Sequence, residues 1–187
     1  REEDLPQLAI RPYPTQYVTH WAARNGREFI IRPIRAEDEP SMVDFHESLS
    51  DRSVYLRFMH PIRLSDRAKH DRLSRTCHGD YNNEISLVVE DPHADDHGLR
   101  IVAASRMTRI HGANAARFSM LISDCCQNQG IGSELMRRVI DVARQEKYER
   151  LECLMTQDNQ IMQQMVTKFG FTLNETDNDL VLANLVL

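Results

Sequence analysis

The residues best placed to do chemistry are Gln127-Asn128-Gln129-Gly130-Ile131-Gly132. They follow a β-branched and apolar stretch at 115–123, and they precede Leu135, Met136, Val139, Ile140 and Ala143, which recur at helical spacing. A strand–turn–helix junction presents the unpaired N–H groups of the helix at its positive end, where an anion is stabilised. Glycine at 130 and 132 lets a phosphate approach the main chain. Two common nucleotide motifs fail: the dinucleotide fingerprint needs glycine where Leu135 stands, and a Walker loop needs Gly-Lys-Ser/Thr, which is absent.

Other clusters read less sharply. His93 and His97 stand four apart beside Asp91, Asp95 and Asp96, but Pro92 and Gly98 make this a loop, where the spacing has no geometric force. A solvated turn is the better reading, and no metal is expected. Cys77, Cys125, Cys126 and Cys153 fit neither a zinc site nor a Cys-x-x-Cys redox pair and read as reduced, partly buried thiols. Arg137 and Arg138, just inside the helix after the glycine turn, either reach a phosphate or belong to a solvated face.

The elements that must position the glycine turn can be read outward from it. The 187 residues are 41% apolar and 27% charged, which suits one domain with a full core. A net charge of −5 with scattered basic residues argues against nucleic acid. No apolar run reaches the roughly 18 residues of a membrane span; the acidic start REEDLPQ is not a signal sequence, and a cytoplasmic location is expected. Residues 1–27, with Pro6, Pro12 and Pro14, read as a linker, a docking arm or the tail of a preceding domain, and 28–187 as the folded domain.

Residues 28–34 read as a strand, and Asp38, Glu39 and Pro40 open a helix burying Met42, Phe45 and Leu49. Ser65 is expected to cap a second helix running to Thr76. Strands at 84–90, 99–110 and 115–123 form an antiparallel meander. After the glycine-turn helix come a strand at 150–156, a helix burying Met162, Met165, Val166 and Phe169, and a hairpin of 171–175 with 180–187. The order β-α-α-β-β-β-α-β-α-β-β predicts an α/β fold, a mixed and mostly antiparallel sheet with helices on both faces.

Gln-x-x-Gly-x-Gly in this setting, with Asn159 at the start of the next helix and Lys168-Phe169-Gly170-Phe171 at its end, resembles the pyrophosphate loop and second block of the GNAT acyltransferases. Residues 8–18, 31–58 and 80–88 narrow the likeness: they resemble the C-terminal region of bacterial Pat-type protein lysine acetyltransferases. That resemblance implies acetyl-CoA as cosubstrate and a protein lysine as acceptor, for instance on an acyl-CoA synthetase. It also implies an acyl-CoA synthetase-like domain upstream in the same polypeptide, in keeping with a start at Arg1. Main-chain groups of Leu121, Ile122 and Ser123 would then pair with the pantetheine arm. The amides of Gln127, Asn128, Gln129, Gly130, Ile131, Gly132 and Ser133 would hold the pyrophosphate, and Asn159 would bind the cofactor arm or cap its helix. Asn128 and Gln129 stand where the family often has glycine and a basic residue, which weakens the phosphate grip.

Transfer to an amine with a pKa near 10.4 calls for a base. The Pat-type relatives place a glutamate ten residues before the loop glutamine, and Arg117 occupies that position. A guanidinium offers donors only and cannot accept the proton. Alternation puts Arg117, Ser119 and Leu121 on one strand face and Phe118, Met120 and Ile122 on the other. Three readings stay open. Another group is the base, Glu84 first, then His111 or Asp124; Arg117 serves substrate or oxyanion while solvent deprotonates the amine; or the domain is a catalytically weak acetyl-CoA-binding regulator. The usual family acid, a tyrosine, is replaced by Val166, and neither Tyr81 nor Tyr148 has a sequence reason to stand near the sulfur. Acetylation of a small amine is also open.

Overall fold

The structure is a computed structural model that describes residues 11–95, 98–176 and 178–187. Eight strands form one sheet: β1 (Thr19–Ala22), β2 (Glu28–Pro33), β3 (Glu84–Glu90), β4 (Ile101–Ile110), β5 (Ala115–Ile122), β6 (Arg150–Thr156), β7 (Thr172–Glu175) and β8 (Leu180–Val186). Their spatial order is β1-β2-β3-β4-β5-β6-β8-β7, and every neighbouring pair is antiparallel except β5 with β6. The helices are α1 (Glu39–Glu47), α2 (Asp51–Phe58), α3 (Leu64–Arg67), α4 (His70–Cys77), α5 (Ile131–Gln145) and α6 (Gln160–Lys168).

The sheet carries a core on each face. On one, α5 buries Leu135, Met136, Val139 and Ala143 against Val89, Ala103 and Phe118, and α6 adds Val166. Side chains the size of Leu135 contribute about 1.5–3 kcal/mol each on full burial. On the other face, Met42, Phe45 and Leu49 of α1 and its exit meet Val54 of α2, Leu73 of α4 and Val88 and Ile101 of the sheet. The predicted stripes of α1 and α5 are therefore the buried ones. In α6, Val166 is fully buried, while Met162, Met165 and Phe169 pack from partly exposed positions.

Three departures from the sequence reading have physical reasons. Thr19–Ala22, which shows no clean period, still joins the sheet against β2, and Arg11 and Tyr17 bond Glu146 at the end of α5. Ser65 is not a cap: Arg63 holds that position without a side-chain bond, and the chain breaks at Ala68–Lys69 before α4 begins. An additional helix, α2, starts at Ser50, whose Oγ accepts from the Ser53 amide at 3.2 Å.

A buried charge network fixes the start of α1 to the sheet. The Arg32 guanidinium forks onto both Asp38 oxygens at 2.7 Å and donates from Nε to Glu90 at 2.7 Å, while Asp38 also accepts from the Arg35 amide. Removing one partner of such a group strands a buried charge at about 3–5 kcal/mol.

Candidate active site

Strands β5 and β6 pair only from Ala115↔Arg150 to Phe118↔Cys153. Beyond that point β5 stays with β4 and β6 stays with β8, so the two diverge and leave the edge of β5 from Ser119 to Ile122 without a β6 partner. A cleft of about 410 Å³ fills the opening. Its walls are α2, through Ser50, Arg52, Ser53 and Arg57, and α6, through Asn159, Met162 and Met165. Its head is the turn before α5, through Gln127, Asn128, Gly130, Gly132 and Ser133.

The turn has the conformation its sequence asks for. Gly130 stands at φ +86° as the N-cap of α5, a left-handed position that penalises a side chain, and Asn128 takes φ +61° two residues before it. A Cβ on Gly132 would come within 2.8 Å of Ile122 Cδ1 and 2.9 Å of Met165 Cε. Among the described residues, the amides of Gly130, Ile131, Gly132 and Ser133 donate to no protein acceptor, and no side chain caps the helix. Four free donors thus stand at the positive end of a fifteen-residue helix, and Gly130, Gly132 and Ser133 among them border the head of the cleft, which fits a pyrophosphate.

The predicted binding residues divide. Leu121, Ile122, Gln127, Asn128, Gly130, Gly132, Ser133 and Asn159 line the cleft. Ser123 is fully buried behind it, its amide bonded to Val102 O at 2.9 Å and its hydroxyl to Ser48 Oγ at 2.9 Å. Ile131 points its side chain into the core, and Gln129 turns back to Cys125 O at 3.3 Å. Asn159 caps α6, accepting from the Met162 amide at 3.2 Å, while also bordering the cleft. Arg137 and Arg138 are both drawn to the buried Glu134, at 2.7 and 2.5 Å. The cations that do line the cleft are Arg52 and Arg57 of α2.

The strand faces follow the expected alternation. Glu84, Thr108, Arg117, Glu152 and Asn184 are directly opposite one another across β3, β4, β5, β6 and β8, so they form one polar row on the face that carries α1, α2 and α4. Glu84 stands two strands from the opening and accepts from Arg106 at 2.5 Å. Arg117 is bonded to Glu152 Oε2 at 2.9 Å, and the other oxygen of Glu152 accepts from Arg150 at 3.0 Å. Glu152 thus brings a carboxylate beside the position where the relatives keep theirs, but with a guanidinium on each oxygen. Glu152 was not found from the sequence, since nothing local sets it apart and its place beside Arg117 comes from the β5–β6 register.

The remaining candidates have other occupations. Asp124 borders the cleft, yet its oxygens accept from the Ser50 amide and from Ser50 and Ser53 hydroxyls at 2.8–2.9 Å. Burial alone would raise its pKa; those bonds outweigh it and hold it below the usual carboxylate value. His111 is exposed in the β4–β5 turn. Val166 is buried, and Tyr81 and Tyr148 lie outside the cleft lining. Burial pushes the Cys153 thiol, at the apex of the opening, up to about 12, so it stays protonated. His93 meets Glu28 at 3.7 Å and Asp91 is taken by Arg27, while Asp96 and His97 lie outside the described residues.

Comparison with known proteins matches this geometry. Residues 28–172 match the family described as Acetyltransferase (GNAT) domain. The GNAT domain of S. lividans PAT superposes with a TM-score of 0.82 at 25% identity, covering 94% of this chain and 99% of that one. Acetyltransferase PA5475 of Pseudomonas aeruginosa is 28% identical over 162 residues, 86% of this chain and 84% of the relative. RimJ of Mycobacterium smegmatis, solved in complex with CoA-disulfide, shares the fold at 15% identity, with a TM-score of 0.69 over 90% of this chain and 86% of that one. A sheet parted between β5 and β6, a glycine turn of free amides at its mouth and a family match across most of the chain agree: this chain belongs to the GNAT acetyltransferase family, acetyl-CoA-dependent N-acetyltransferases.

Proposed function

We propose that this chain binds acetyl-CoA in the β5–β6 cleft and transfers the acetyl group to a lysine side chain of a protein, an acyl-CoA synthetase being the class its sequence likeness favours. The observation that carries the reading is the divergence of β5 from β6 toward four unpartnered amides, Gly130 to Ser133. The resemblance of residues 8–18, 31–58 and 80–88 to Pat-type protein lysine acetyltransferases supports the protein-lysine acceptor and an upstream synthetase-like domain, and the likeness to the GNAT domain of S. lividans PAT over nearly the whole chain is in keeping with it.

Acetyl-CoA would supply a thioester carbonyl; the rest is the work of the chain. Gly130 to Ser133 bind the pyrophosphate, with Arg52 and Arg57 the cations that line the same cleft. The open edge of β5 at Leu121 and Ile122 orients the pantetheine arm by main-chain bonds. Met120, Met162 and Met165 keep water from the arm. The amine proton passes to Glu152 through water, because Glu152 is the carboxylate next to the apex of the opening. Its oxygens already accept from Arg117 and Arg150, so transfer is slow near neutrality and rises as the amine deprotonates on its own.

The same ion pair favours a second reading, an acetyl-CoA-binding regulator with little turnover. Mass spectrometry of an acyl-CoA synthetase incubated with the chain and acetyl-CoA separates them. Acetylation of one lysine well above the protein-free rate is the expected result, and modification no faster than that control leaves the regulator.

A further inference from the structure

A second, smaller cavity of about 80 Å³ lies beside the cleft, on the sheet face that carries α1, α2 and α4. Its walls are largely apolar, from Met42, Phe45, Leu73 and Val88, with the hydroxyls of Thr76, Ser86 and Ser105 among them, and three guanidiniums reach it: Arg57 of α2, Arg72 of α4 and Arg106 of β4. Arg106 is matched by Glu84. Arg57 and Arg72 have no carboxylate and no hydrogen-bond acceptor among the described residues; their guanidinium carbons sit 4.8 and 5.2 Å from the centre of the Phe58 ring. Two neighbouring cations held together without an anion repel each other, and apolar walls strengthen that repulsion.

The surroundings register the imbalance. Burial first, then Arg106 and Arg72, push the Arg57 pKa down to about 10. Burial first, then Arg67, Arg72 and Arg57, push His46 down to about 4, so it stays neutral, and its Nδ1 is buried without a partner. The missing component is a negative charge.

We propose that this cavity is an acceptor subsite for a carboxylate, held between Arg57 and Arg72, so that the amine acetylated by this chain belongs to a molecule that also carries a carboxylate. The inference rests on the transferase reading and deepens it. Two guanidiniums remain after Arg106 is paired, which suits the two oxygens of one carboxylate. A dianion would cost more to desolvate among these apolar walls.

The position suits an acceptor. Arg57 and Leu121 border both the cavity and the cleft, and Arg106 is opposite Ser119, which opens on the cleft. The charge therefore docks about one strand spacing, ~5 Å, from the cleft wall. The carboxylate comes either from the acceptor amino acid itself or from an acidic residue beside an acceptor lysine; the chemistry at the subsite is the same.

Binding of product-like acids tests the subsite without relying on turnover. The probes are 6-acetamidohexanoate and a short peptide with Glu two residues from an acetyl-lysine, each titrated calorimetrically against its primary-amide twin, with and without CoA. At least one acid is expected to bind tenfold or more tighter than its amide, the worth of a desolvated charge-assisted bond, and Arg72→Gln is expected to erase the preference. Which acid shows it identifies the source. Equal binding of both acids and their amides, or a preference that survives Arg72→Gln, overturns the proposal. Titration of the same variant with acetyl-CoA shows that it is folded and addresses the transferase reading separately. Absence of acetyl-CoA binding by the natural chain, with its acid preference intact, defeats that reading alone.

Discussion

Arg117→Glu is the substitution that bears most directly on catalysis. Arg117 is directly opposite Glu152, bonded at 2.9 Å, with the arginine side chain 49% exposed and that of Glu152 8% exposed. At such exposure the native pair contributes no more than about 1 kcal/mol. Reversing its sign sets two carboxylates about 6 Å apart, and at an effective dielectric of 20 to 40 they repel by about 1.5–3 kcal/mol. Such a pair relieves the repulsion by holding one proton between its two carboxylates. Part of the repulsion appears as lost stability.

The gain is a carboxylate able to take a proton at the position where the Pat-type relatives have one. General-base catalysis is typically worth 10²–10⁴-fold, so even a poorly aligned base should raise the rate at neutral pH by about tenfold. The assay is the initial rate of CoA release with a lysine acceptor, from neutral to alkaline pH, for the natural chain, Arg117→Glu and Arg117→Gln. A folded Arg117→Glu that binds acetyl-CoA normally yet is no faster at any pH refutes the reasoning. An equal gain in Arg117→Gln assigns the effect to Glu152, released from one of its two guanidiniums.

Other expectations follow from single residues. Gly132→Val forces Ile122 or Met165 into the cleft, since even a Cβ meets them at 2.8 and 2.9 Å; acetyl-CoA affinity should fall at least tenfold, while overpacking costs only about 1–3 kcal/mol of stability in urea denaturation. His46 is buried with a pKa near 4, below its unfolded value of about 6.5, so the unfolded state takes up the proton first. The associated stability, about 3 kcal/mol, is present above pH 6.5 and lost as pH falls toward 4; His46→Gln should flatten that limb of the stability–pH curve.

The sequence revealed most of what local chemistry controls. The meander, the amphipathic stripe of α5 and the glycine turn are written in spacing and residue type, and each appears where expected. What it concealed depends on register between distant strands. Glu152 matters because β5 and β6 place it opposite Arg117, and the Arg57–Arg72 pair exists because α2 and α4 pack around Phe58. The α2 wall was readable in part, since Ser50-Asp51 is a sound helix start. Strand β1 was not: Thr19–Ala22 is short, buries no residue fully and follows a proline-containing stretch, and β2 supplies its partners.

The central claim is that the turn from Gln127 to Ser133 and the parted strands hold acetyl-CoA. Calorimetric titration of the purified chain with acetyl-CoA, and with CoA alone, tests it without knowledge of the acceptor. The account expects saturable one-to-one binding that Gly132→Val sharply weakens. Absence of saturable binding, or binding untouched by Gly132→Val, contradicts it.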